Sequence, residues 1–91
     1  MQVGELNTNG CDIHLNEQEC RDYAESEPTF TFNKVASWGN HPKGCFSHVG
    51  NMNVFFNTHG TGGKNVNAKP VCKPGGYLHL KITAKIFINF W

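Results

Sequence analysis

The stretch HPKGCFSH, residues 41–48, sets Cys45 just after a Pro-Lys-Gly turn, with His41 and His48 at its two ends. A cysteine in that setting has three chemistries open to it: metal ligation, nucleophilic attack, or one half of a disulfide. For a metal, Cys11-Asp-Ile-His14 and Cys45-Phe-Ser-His48 are both C-x2-H pairs, and Cys11, His14, Cys45 and His48 together would form a Cys2His2 tetrahedron for zinc. That set suits reduced thiolates in an intracellular interaction domain, but it leaves Cys20 and Cys72 idle. For a nucleophile, Cys45 would need His41 or His48 as base, a third group to orient that base, and a pocket. The sequence names no third group and is short for a substrate cleft, so neither an enzyme nor a cofactor is expected. For a disulfide, four cysteines at positions 11, 20, 45 and 72 give the even number and wide spacing of an oxidised secreted or surface module.

Two other stretches invite chemistry and do not sustain it. THGTGG, residues 58–63, lacks the spacing and the Lys-Ser/Thr ending of a phosphate-binding loop and reads as a flexible exposed loop. Glu17, Glu19, Asp22, Glu25 and Glu27 make an acidic helix surface without the D-x-D-x-D-G spacing of a calcium loop, so they read as a solvated face.

Composition narrows the field further. Ninety-one residues make one small domain or part of one, a size at which cross-links often supplement the core. The net charge is +1 and the lysines are scattered, which gives neither a nucleic-acid footprint nor a basic membrane patch. No stretch is long and apolar enough to span a bilayer as a helix. The opening MQVGELNTNG has no apolar signal-peptide core, so an exported module is expected to be a segment of a longer precursor. No Asn-x-Ser/Thr sequon is present.

The elements that must position the cysteines are legible in outline. Residues 1–10 are polar and read as a disordered segment. Asn16 and Glu19 form a capping-box pair at the start of a helix, with Leu15 and Cys20 at the staple positions. Cys20, Tyr23 and Ala24 share one face, and Pro28 stops the helix by about residue 26. TFTFNKVASW alternates as a strand, with Phe30 and Phe32 on one side. Residues 45–49 and 53–57 read as an antiparallel hairpin turning at Gly50 and Asn51. VCK, residues 71–73, reads as a short closing strand. YLHLKITAKIFINFW has a period of two and reads as an apolar strand, or as a non-native tail, within residues 74–91.

In this order, NEQECRDYA, Trp38, PKGCF, VFFNT and VCK resemble a small cysteine-containing module found, often in several copies, in predicted surface and secreted proteins of marine microalgae. The match covers residues 11–73. The resemblance implies a disulfide-bonded module of a multi-module ectodomain, says little about ligand, and makes the tail foreign to the module. Four cysteines allow three pairings, and sequence alone does not fix one. Two considerations favour Cys20–Cys45 with Cys11–Cys72. Cys20 lies on the helix face that must pack and Cys45 opens the strand it would cover, while Cys11 and Cys72 bracket the module.

The resulting expectation is an α+β fold, one short helix packed on a small antiparallel sheet and held by disulfides. Its expected function is non-enzymatic recognition or structure at the cell surface or outside the cell. Loops 37–43 and 57–69 would meet a glycan or protein, with Trp38, His41, Asn57 and His59 as contacts. The aromatics Trp38, Phe46, Phe55 and Phe56 are mostly expected in the core, and Trp38 is the one best placed to stack on a sugar ring. The alternatives are the zinc-stabilised domain and a structural subunit of a larger assembly.

Overall fold

A computed structural model of the chain describes residues 2–73. The period-two strand expected within residues 74–91 lies outside the described residues. One helix packs on a mixed sheet. The elements in chain order are β1 (Gln2–Val3), α1 (Glu17–Ser26), β2 (Thr31–Ala36), β3 (Gly44–His48), β4 (Asn53–Asn57) and β5 (Ala68–Cys72). The sheet order is β1-β5-β3-β4-β2.

The helix forms where its signals lie. The Asn16 side chain accepts from the backbone N–H of Glu19 at 2.8 Å, and the Glu19 carboxylate accepts from the N–H of Asn16 at 2.8 Å. Two of the orphan donors of the first turn are thereby satisfied. The same hydrogen bond, with an added one from Lys73, holds the Glu19 carboxyl below its ordinary pKa. Leu15, just before the cap, is buried in the same cluster as Cys20, Tyr23 and Ala24. Burying each large side chain of that stripe contributes about 1.5–3 kcal/mol. At the far end Glu27 is extended, its N–H donating to the carbonyl of Ala24, as expected of a residue before proline.

The hairpin of β3 and β4 runs from Gly44 opposite Asn57 to His48 opposite Asn53. Its turn is wider than the sequence suggests, since residues 49–52 all lie between the strands. The left-handed position falls on Met52 (φ 60°) and not on Gly50, and the Met52 N–H donates to the carbonyl of His48 at 3.0 Å.

Two expectations are corrected. The sheet is not purely antiparallel, because β2 pairs with β4 in parallel. The chain leaves β2, skips one strand position to lay down β3, and the hairpin then folds β4 into the vacant slot, where it must run with β2. Alternating hydrophobicity reports which face a side chain takes and says nothing about which strand lies beside it. The amino-terminal segment is not loose either. Gln2 and Val3 pair with Cys72 and Val71. Beyond them, Gly4 N–H donates to Pro70 O at 2.6 Å and Asn7 N–H to Ala68 O at 3.1 Å. Backbone pairing along the open edge of β5 needs no apolar pattern, so a polar segment gives no sign of it.

The sheet therefore has two differently covered faces. Cys45, Val54 and Val71 point to α1 and join Leu15, Cys20, Tyr23 and Ala24, with Phe30, Phe32 and Phe56 packed alongside. A register shift between Phe32 and Lys34 lets β2 reach that side again with Val35, which lies opposite Phe56. The other face carries Phe46, Phe55 and Ala68, with Trp38 laid over them. Both expected disulfides are present, Cys20–Cys45 between α1 and β3 and Cys11–Cys72 between the segment before α1 and β5.

Candidate recognition surface

Loops 37–43 and 57–69 meet on the face opposite the helix, and one side chain joins them. Asn57, at the end of β4, is 1% exposed. Its carbonyl oxygen accepts from the N–H of Trp38 at 2.8 Å and from the N–H of His59 at 3.2 Å. Its amide nitrogen donates to the carbonyls of Trp38, His41 and Pro42 at 2.8, 3.0 and 2.9 Å. This amide fixes loop 37–43 as a unit and has no capacity left for a ligand, so Asn57 is an organiser of the surface and not a contact on it.

The amide clamp presents Trp38 to solvent along one side only. Its ring meets Phe55 edge-on at 5.3 Å and Phe46 at 6.2 Å, and Lys34 Nζ lies 5.7 Å from its centroid. His41, expected as a contact residue, is half-buried. It stacks on Phe46 at 5.2 Å and lies 4.9 Å from Trp38. Its Nδ1 is 2.9 Å from the side-chain oxygen of Asn40, and its Nε2 is 3.4 Å from the amide nitrogen of Asn65. The neutral ring with hydrogen on Nδ1 donates to the first and accepts from the second, satisfying both. Desolvation by burial, and secondarily the charge of nearby His48, lowers the His41 pKa from its ordinary value.

Loop 58–67 is exposed but tied down, contrary to the flexible loop that its composition suggests. The Nδ1 atom of His59 accepts from the N–H of Gly62 at 2.9 Å and of Thr61 at 3.2 Å, which places the ring proton on Nε2. Gly62 has φ +64°, and a Cβ there would lie 2.5 Å from the backbone nitrogen of Lys43, so the two loops approach as closely as glycine allows. Asn9 bridges them from outside, its oxygen accepting from Lys43 N–H at 2.9 Å and its amide donating to Thr61 O at 3.0 Å.

The alternative chemistries do not survive this geometry. Cys11 and Cys45 belong to different disulfides, so the set Cys11, His14, Cys45 and His48 offers no thiolate to a metal, and Cys45 offers none to a substrate. Among the described residues no three His, Cys, Asp or Glu side chains are grouped as a metal site. His14 instead packs over Gly44, whose Cβ would sit 3.0 Å from its Nδ1.

The structure thus brings Trp38 and His41 together, places His59 behind the loop as a brace, and buries Asn57. Sequence reasoning missed Lys34, Asn40 and Asn65 at the rim of the aromatic pair. Asn40 and Asn65 carry no pattern signal, whereas the shifted register of β2 is what turns Lys34 to this face. No family model, curated protein or solved structure matches this chain.

Proposed function

We propose that this chain is a recognition module of the cell surface or extracellular space that contacts glycan through its Trp38–His41 shelf. The observation that carries the reading is the construction of that shelf. A partly exposed indole lies beside a neutral imidazole at 4.9 Å, backed by Phe46 and Phe55 and bordered by the amides of Asn40 and Asn65 and by Lys34. A flat π surface takes the C–H face of a sugar ring, and the amides and the ammonium meet its hydroxyls. The buried clamp of Asn57 holds the surface in place before any ligand arrives, which lowers the entropic cost of binding.

Three further points support the proposal. Two disulfides in so small a chain are compatible with an oxidising location. No helix among the described residues is long and apolar enough to cross a membrane. The microalgal module that the sequence resembles belongs to multi-module surface and secreted proteins, and a disulfide-held recognition unit is consistent with such a parent.

The test is retention on a panel of insoluble and immobilised polysaccharides, including cellulose, mannan and a sulfated galactan. The chain should be retained on at least one, and Trp38→Ala should weaken that retention about tenfold. Fluorescence of Trp38, read in a Trp91→Phe background, should shift on binding. Retention on none of the panel, or retention indifferent to Trp38, would overturn the assignment.

A further inference from the structure

The helix face of the sheet carries a second feature, unrelated to the shelf. A single helix about 10 Å wide covers two or three strands spaced about 4.8 Å apart. In this fold α1 lies against β2, β4 and β3, which leaves the β5 and β1 side of the same face open. The opening is a groove of about 460 Å³. Its walls are Val3, Phe30, Val49 and Met52. Val3, Val49 and Met52 are 48%, 39% and 41% exposed, three of the seven large apolar side chains left exposed among the described residues. Their convergence on one groove is not the scatter expected of an ordinary surface.

The polar groups of the groove are few: Ser47, Tyr23 and Lys69. Ser47 and Tyr23 are 2% and 7% exposed as whole residues, and neither hydroxyl is bonded to another of the described side chains or backbone groups. Burial, and secondarily the charge of Glu27, raises the Tyr23 pKa, so the phenol remains a donor. Lys69 lies directly across from Ser47 in the paired strand and lines the same groove. The ion pairs among the described residues are Arg21–Glu17 and Lys73–Glu19, neither of which engages it.

We propose that this groove binds a small amphipathic carboxylate, whose apolar body lies against Val3, Phe30, Val49 and Met52 and whose head accepts hydrogen bonds from Ser47, Tyr23 and Lys69. The volume fits a small molecule and not a folded partner. One ammonium and two neutral donors line one groove and match a singly charged head, whose oxygens can only accept.

Titration of the intact, oxidised chain with octanoate, followed by amide chemical shifts, tests the proposal, with 1-octanol as the matched neutral probe. Saturable shifts should centre on Ser47, Val49 and Lys69, and octanoate should bind more tightly than octanol. Lys69→Gln should weaken octanoate about two- to tenfold and leave octanol unchanged, and Ser47→Ala should weaken octanoate by a similar factor. Trp38→Ala should not alter it, which separates this site from the glycan shelf. Absence of saturable shifts in the groove, equal binding of acid and alcohol, or indifference of octanoate to both variants would each overturn the proposal.

Discussion

The two faces of this sheet are covered by different physics. Toward the helix, a stripe of apolar side chains is locked by a disulfide whose sulfurs are wholly buried, Cys20 and Cys45 both being 0% exposed. On the opposite face no helix lies among the described residues, and the seven-residue loop 37–43 is held by the amide of Asn57 through Trp38, His41 and Pro42, with Asn9 and Asn65 bonding Lys43 and Asn40 at its edge. The first cover is strong and inert. The second leaves an indole and an imidazole at the surface in fixed positions. A small chain with little core to spare covers one side of its sheet with apolar packing and a cross-link, and the other with a hydrogen-bonded loop.

The largest expected effect lies on the helix side. A ten-residue helix is marginal alone in water, and Cys20–Cys45 pins it to the sheet. The double variant Cys20→Ala/Cys45→Ala should lose about 3–5 kcal/mol in urea unfolding. Chain entropy by itself ranks the disulfides the other way, about 3.5 kcal/mol for the 25-residue separation and about 4.3 for the 61-residue one. Cys11–Cys72, however, is reinforced by the β1–β5 pairing and by the hydrogen bond from Lys73 N–H to Ile13 O at 3.0 Å. Cys11→Ala/Cys72→Ala should therefore cost less than the inner pair. The reverse ranking would mean that loop closure, and not helix docking, dominates the stability of the module.

On the loop side, Asn57→Ala removes one small side chain bonded to five backbone groups. Of these the His41 carbonyl keeps the Gly63 N–H, and the other four lose the partner that holds them. Leaving even part of that set unsatisfied should cost about 3 kcal/mol. The loss should be local in its signature. Amide exchange should accelerate at Trp38, His41 and His59 and change little at Cys20 and Ala24. Uniform acceleration across both faces would show that the two covers are one cooperative unit.

The same contrast explains what the sequence disclosed. Among the described residues, capping and periodicity were legible in the Asn16–Glu19 box, the stop before Pro28, the buried stripe and the two strands of the hairpin, and cysteine placement favoured, without fixing, the disulfide pairing. Those features write themselves into residue types at fixed spacings. The amide clamp does not, because Asn57 is read equally well as a surface asparagine after a strand, and only its burial reveals that five hydrogen bonds end on it. His41 and His59 were singled out as loop contacts, and the structure shows both bracing their loops. The parallel placement of β2 and the edge pairing of Gln2 and Val3 were hidden for a related reason, since strand order and backbone pairing leave no mark on side-chain alternation.

The smallest expected effect is a pH dependence specific to the loop side. His41 is held neutral between Asn40 and Asn65 with its pKa lowered first by burial and second by electrostatic interaction with His48. A folded-state pKa below the unfolded one means that the unfolded chain binds the proton first as pH falls. The contribution of this site is therefore fully present above the ordinary histidine pKa, and it is lost as pH falls through the lower, folded value. Protonation also ends the acceptance of a hydrogen bond from Asn65 by Nε2, so the shelf should loosen in the same window. The urea midpoint should fall between neutral pH and about pH 5, a range bracketing the ordinary value, and His41→Phe should flatten that slope while keeping the stack on Phe46. If wild type and His41→Phe lose stability in parallel on acidification, the proton-sensitive group lies elsewhere, and the stack between His41 and Phe46 is structural packing independent of the charge on the ring.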